Sequence, residues 1–157
     1  MPTHNWIISG ENSRTLKVGV IKFKKSKKVG VDITLRTTHI TSSVHLSLNE
    51  FSCLPGREIL DHFPVQGIHE CITTDGPADG DYTYFDRVWE YSGDCGRLIR
   101  LGVKHFNTAS YIFLKVYKRN GDAWARPCQI NLSVFEFYKL ESLYAEVHNC
   151  GMRLIYH

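Results

Sequence analysis

A chain of 157 residues, 43% hydrophobic and 22% charged, has room for one ordinary domain or two very small ones and the make-up of a soluble globular protein. No run approaches the ~20 apolar residues of a membrane span. MPTHNWIISGENSR lacks the basic start and apolar core of a signal peptide, so an intracellular, reducing compartment is expected. The net charge of +3 conceals strong segregation: residues 14–36 carry eight Lys/Arg and one acid, 64–96 one Arg and seven acids, and 97–127 seven Lys/Arg and one acid. Clustered positive charge suits a polyanionic partner, although solvated faces balanced by an acidic loop give the same composition.

In chain order, Val18 and Val20 alternate with Lys17 and Gly19, and Val29, Val31, Ile33 and Leu35 with Gly30, Asp32, Thr34 and Arg36. A period of two predicts strands with one buried face. Val44–Leu46 reads as a further strand, ending at Ser47. Ser47 with Glu50 three residues on is a capping box, so a helix starts there. Pro55-Gly56 breaks it near Cys53–Leu54, and Arg57–Phe63 adds another turn. Residues 64–96, rich in Gly, Asp and Thr, read as an acidic linker with an irregular hairpin around Tyr82–Trp89. Ile112, Leu114 and Val116 alternate with Tyr111, Phe113, Lys115 and Tyr117, another strand; Asn120-Gly121 signals a hairpin; Gln129–Leu132 is the last strand before the helix that Ser133 and Glu136 cap. Phe137, Leu140, Tyr144 and Val147 form that helix's apolar stripe, and Met152–Tyr156 reads as a short edge strand.

The chain repeats itself. RTLKVGVIKF (14–23) aligns with RLIRLGVKHF (97–106), sharing Arg14/Arg97, Gly19/Gly102, Val20/Val103 and Phe23/Phe106. LSLNEFSCL (46–54) aligns with LSVFEFYKL (132–140), sharing Leu46/Leu132, Ser47/Ser133, Glu50/Glu136, Phe51/Phe137 and Leu54/Leu140. The offset changes from 83 to 86, a net three-residue insertion. The expected fold is therefore α+β: two repeats, 14–63 and 97–148, each a curved antiparallel β-sheet followed by a helix. Neither buries much core alone, so they are expected to pack as an intrachain pseudo-dimer, joined by the acidic linker 64–96.

These residues resemble the single-stranded-DNA-binding domain of transcriptional positive cofactor four, which runs four strands and a helix. The likeness covers 97–147, through VKHF, the loop NGDAWARP and QINLSVFEFYKL. It also covers 14–63, through VGVIKFKK, VGVDITLR and VHLSLNEF, where the family's Gly/Pro loop is replaced by Thr37–Ser43. The resemblance implies two sheets gripping opposite-running single strands, with bases on aromatic rings and phosphates on Lys and Arg. The fused chain and the acidic insert depart from the family's pattern.

The residues supply matching chemistry. Lys22, Lys24, Lys25, Lys27 and Lys28 surround Phe23, and Arg36 closes the next strand. In the second repeat Lys104, Phe106, Lys115, Tyr117, Lys118, Arg119, Trp124 and Arg126 form the equivalent set. Basic grooves with aromatic platforms hold single strands without reading sequence. Phe23 and Phe106 either stack a base or pack in the core. The Tyr111–Phe113–Tyr117 face, with Lys115, is either a stacking platform or a second packing layer.

No Gly-rich phosphate loop, paired-carboxylate spacing or Ser-His-Asp arrangement is present, so no enzyme activity or cofactor is expected. Cys53, Cys71, Cys95, Cys128 and Cys150 contain no CxxC, and the HxC triplets at His69 and His148 are read as coincidence, so no metal is expected. The expected function is largely sequence-independent binding of single-stranded DNA, or RNA, in transcription or replication. Its setting would be the nucleus or another DNA-containing compartment, and a virus would suit a fused duplication. The expected partners are transcription or replication proteins, with no membrane, and the chain a monomeric pseudo-dimer or a higher homo-oligomer. The alternative is a protein-interaction or structural module that keeps the fold without binding nucleic acid.

Overall fold

The computed structural model describes residues 3–10, 13–61, 85–106 and 109–156. The chain is α+β. Strands β1 (Thr3–Ser9), β2 (Thr15–Lys22), β3 (Val29–Arg36) and β4 (Thr41–Ser47) form one antiparallel sheet in the order β1-β2-β3-β4. Helices α1 (Leu48–Ser52) and α2 (Arg57–Leu60) follow. The second half repeats the plan with β5 (Phe85–Ser92), β6 (Leu98–Phe106), β7 (Ala109–Tyr117) and β10 (Cys128–Leu132), ordered β10-β7-β6-β5. A small hairpin, β8 (Arg119–Asn120) with β9 (Ala123–Trp124), is inserted before β10, and helices α3 (Val134–Ser142) and α4 (Tyr144–Ile155) close the chain.

The predicted alternation decides which face is buried. Leu16, Val18 and Val20, then Val31, Ile33 and Leu35, then Val44 and Leu46 point into one core. They share it with Ile99, Leu101, Val103, Ile112, Leu114, Val116, Ile130 and Leu132 of the second sheet. Phe51, Phe137, Leu140 and Val147 of the helices complete the cluster. One core made by both halves is what two undersized units need. Both capping boxes form: Ser47 and Ser133 accept from the backbone N–H of Glu50 and Glu136, whose carboxylates reach back. Helix α1 ends at Cys53, before Pro55-Gly56, as that breaker requires.

The helix expected to carry Phe137, Leu140, Tyr144 and Val147 is two, α3 and α4, meeting at Leu143, and three further elements differ from the sequence reading. Each half has an additional first strand. β1 pairs with β2 so that Trp6 faces Val18, and β5 with β6 so that Trp89 faces Leu101. The last twelve residues of the expected linker 64–96 therefore belong to the second half, and the first repeat begins before residue 14. Both tryptophans are half-buried against the core, which is why these strands hold. The tail 152–156 is not an edge strand: it continues α4, whose Val147, Cys150 and Gly151 are buried at helical spacing. Residues 62–84, with His69 and Cys71, lie outside the described residues.

The two halves are locked reciprocally. Arg14 donates from Nε to Glu136 Oε2 at 3.0 Å and from Nη2 to Glu136 Oε1 at 2.9 Å and to the Asn131 carbonyl at 2.8 Å. Its repeat equivalent Arg97 lies 3.1 Å from Glu50 Oε2 and donates to the His45 carbonyl. Each capping glutamate, buried at the head of its own helix, is thus paired with the arginine of the other half. Gly10 and Gly93 donate to the carbonyls of Arg14 and Arg97 at 2.8 and 2.7 Å, holding both arginine turns alike. Strands β4 and β10 meet at this pseudo-two-fold, and α1 packs on α4.

Candidate nucleic-acid interface

Strand registers place the repeat residue by residue. Val18 and Leu101, Ile33 and Leu114, and Val44 and Ile130 occupy matching rows, at offsets of 83, 81 and 86. The β2–β3 turn is thus two residues longer in the first half, and the connection from β7 to β10 is five residues longer in the second. Those two extra lengths are the lysine loop, 23–28, and the β8–β9 hairpin.

The lysine loop is a tight turn closed by Phe23 N–H to the Lys28 carbonyl and Lys27 N–H to the Phe23 carbonyl, both 2.9 Å. Lys27 takes a positive φ of 60° at its apex. Lys24, Lys25, Lys27 and Lys28 are all exposed. Phe23 is 37% exposed and meets the His45 ring edge-on, centroids 5.7 Å apart. It is therefore not core. Lys22 is placed differently: its Nζ donates to the Leu154 carbonyl at 2.7 Å, so it holds the C-terminal end of α4, where a helix presents unsatisfied carbonyls.

Beside Phe23, the outer face of the first sheet is open and polar. One row runs Asn5, Gly19, Asp32, His45 across the four strands, and the next runs Ile7, Lys17, Thr34, Ser43. Asp32 Oδ1 and His45 Nδ1 are in hydrogen-bond contact. Arg36, exposed, ends β3 on this same face. Gly19 leaves a hollow of about 110 Å³ lined by Asn5, Lys17, Gly19, Ile21, Asp32 and Thr34.

The equivalent face of the second sheet has a different character. Its row reads Val88, Gly102, Phe113, Asn131, and Val88 and Phe113 form a small apolar cluster of their own. Arg100 is buried, its Nε donating to Glu90 Oε2 at 2.5 Å and its guanidinium 4.9 Å from the Tyr117 ring centre. Lys115 Nζ sits 5.3 Å from the Phe113 ring centre. Tyr117 is only 4% exposed and Lys115 6%. The expectation that Lys115 and Tyr117 form an open stacking platform is therefore corrected: this face is a second packing layer, because the residues opposite Asn5 and Asp32 in the repeat are apolar. Alternation identifies the face but not what lies against it. The side chains of Lys104 and Phe106 lie outside the described residues.

What the second half does expose is its inserted hairpin. The loop is Gly121-Asp122, with Gly121 at φ 66°, as a two-residue hairpin demands. Arg119 lies 4.5 Å from the centre of the half-buried Trp124 ring, and Trp124 meets Tyr117 edge-on at 6.4 Å. Lys118 and Arg126 are exposed on either side. Arg119, Trp124 and Arg97 line one groove with Ser92, Gly93, Gly96 and Leu98. Because Arg97 bonds the His45 carbonyl, and His45 touches Phe23, a chain of contacts links the lysine loop to the hairpin groove across the seam between the halves. Arg97 and His45 are not singled out by the sequence; the shared Arg14/Arg97 repeat position is the one signal it offers.

Among the described residues no group of three His, Cys, Asp or Glu is arranged to hold a metal ion, and no helix is long and apolar enough to cross a membrane. Ser52 Oγ lies 2.9 Å from His148 Nδ1, but that hydroxyl already donates to the Leu48 carbonyl at 2.8 Å, so its proton is not held for the imidazole.

No protein-family model matches the chain, and no curated protein matches it. Among solved structures the chain is similar to WHY1 from Arabidopsis thaliana, with 13% identity, a TM-score of 0.37, and coverage of 94% of this chain and 90% of that one.

Proposed function

We propose that this chain binds single-stranded nucleic acid along the seam between its halves, as a non-catalytic protein of transcription or replication. The observation that carries the reading is a chain of contacts that links two basic-aromatic clusters. Phe23 with Lys24, Lys25, Lys27 and Lys28 is connected through His45 and Arg97 to the groove of Arg119 and Trp124, beside which Arg126 is exposed. Exposed ammonium groups neutralise phosphates, while Phe23 and the Arg119-backed Trp124 offer faces on which unpaired bases stack. A duplex keeps its base faces buried in its own stack, so aromatic faces select for single strands.

The test is fluorescence anisotropy with single-stranded DNA, single-stranded RNA and blunt duplex of one sequence across a salt series. The single strands should bind more tightly, and log K should fall with log salt by about 0.7 per phosphate neutralised. Equal affinity for duplex, or no salt dependence, overturns the reading; the DNA and RNA arms decide which strand is preferred.

A further inference from the structure

We infer that the hollow over Gly19 reads a base, and that the base is guanine; this rests on the strand-binding reading above and adds sequence preference to it. The hollow lies on the open face from which Phe23 projects, two residues beyond Ile21 in its wall. It exists because of one glycine. A Cβ built on Gly19 falls 2.9 Å from Asn5 Oδ1, so any side chain there occupies the floor of the hollow and forces the Asn5 amide to shift. In the second half the matching glycine, Gly102, lies between Val88 and Phe113, apolar residues that stand where the first half has Asn5 and Asp32.

The lining chooses the ligand. Asp32 is an acceptor set in a face otherwise suited to phosphate, where a carboxylate repels the backbone. His45 engages its Oδ1 from the side away from the hollow, which fixes the carboxylate while leaving lone pairs for a second partner. Bases of single strands are read on their Watson–Crick edges. Guanine alone presents two adjacent donors there, N1–H and the 2-amino group, matching one carboxylate. Its O6 then meets a donor, supplied by Lys17 Nζ or the Thr34 hydroxyl. Thymine sets one donor between two acceptors, and adenine and cytosine each pair a donor with an acceptor, so each places a lone pair against Asp32. Ile21 gives the base an apolar wall.

The experiment measures competition by oligothymidylates carrying one central dG, dA, dC or deoxyinosine. The dG strand should bind about tenfold more tightly than plain oligothymidylate, the scale of one well-formed bidentate contact. Deoxyinosine, without the 2-amino group, should lose most of that gain. Asp32→Asn and, separately, Gly19→Ala should bring the dG-to-dT ratio close to one; because the readout is a ratio, misfolding is recognised by its equal effect on both strands. Affinities within about twofold for all four bases overturn the inference while leaving strand binding intact. If no strand binds at all, the functional reading fails on its own. The hollow is then probed with guanosine 5′-monophosphate by amide NMR, where unmoved Gly19, Asp32 and Thr34 signals overturn this inference as well.

Discussion

Arg14 and Arg97 each do two things at once: they neutralise a buried capping glutamate and tie down the edge carbonyl of the other half's last strand. Removing one partner of a buried pair leaves the other charge without compensation, at a cost of about 3–5 kcal/mol. Arg97→Ala should therefore lower unfolding stability by about 3 kcal/mol in urea titrations; a decrease below about 1 kcal/mol would show the pair to be ornamental. Gly93→Ala should destabilise for a related reason, since the added Cβ falls 2.2 Å from Glu50 Oε2, a buried group that cannot retreat. The Glu136 carboxyl carries a pH signature. Burial pushes its pKa up, but the Arg14 hydrogen bonds and those at Ser133 outweigh this, and the net shift is downward from 4.5. A lowered native value means that the contribution is complete above the unfolded value and is lost as pH falls through the native one. Stability should thus decline below about pH 4.5, and Arg14→Ala should flatten that decline. An identical acid limb in the variant would count against the assignment.

At the scale of elements, the two inserted loops carry the exposed chemistry, and they should separate by salt. Replacing Lys24, Lys25, Lys27 and Lys28 with Ala should weaken binding to every single strand and flatten the salt slope by up to about 0.7 for each phosphate no longer neutralised. Phe23→Ala should cost about 1–3 kcal/mol of binding with the slope retained, because stacking releases few ions. Tyr117→Ala should instead act on stability, by about 3 kcal/mol, since that ring is interior; a well-folded variant with weakened binding would return Tyr117 to the interface. The difference between these rings marks the limit of what a sequence pattern conveys. Alternation puts Phe113, Lys115 and Tyr117 on one face correctly, yet a period of two is silent on whether a face meets water or protein. The same holds for Lys22, whose partner is a carbonyl 132 residues away. The first strands are legible only through the repeat: Trp6/Trp89, Ser9/Ser92, Gly10/Gly93 and Arg14/Arg97 all share the offset of 83. Trp6-Ile7-Ile8 runs apolar without alternation, and β5 lies in an acid-rich stretch with a bulge between Phe85 and Arg87, so neither displays a clean period. In the tail, Val147, Cys150, Gly151 and Leu154 have helical spacing, but Gly151 and the β-prone end LIY favour a strand on propensity.

For the whole molecule, the shared core and the reciprocal Arg–Glu locks predict that neither half is stable alone. Each sheet has its inner face covered partly by the other half: Val44 and Leu46 of one and Ile130 and Leu132 of the other belong to a single cluster, and α1 rests on α4 through Leu48 and Gly151. A half taken by itself exposes that surface and leaves Glu50 or Glu136 without its arginine. Tyr91 and Tyr144 tie the halves further, their hydroxyls donating to the Glu50 and Pro55 carbonyls of the first half, at 2.8 and 2.9 Å. Residues 1–61 and 85–157, expressed separately, should each show little cooperative unfolding and a tendency to self-associate. Mixed, they should regain the circular dichroism and cooperative melting of the intact chain. A second fragment beginning at residue 94 should rescue poorly, since it lacks β5 and with it Trp89, Tyr91 and the edge that completes the sheet. Arg97→Ala in the second fragment should weaken complementation more than it weakens the intact chain at working concentration, because association is then no longer intramolecular. Two fragments that each melt cooperatively as monomers, with no change on mixing, would mean that the halves are independent domains and that the reciprocal contacts contribute nothing to folding.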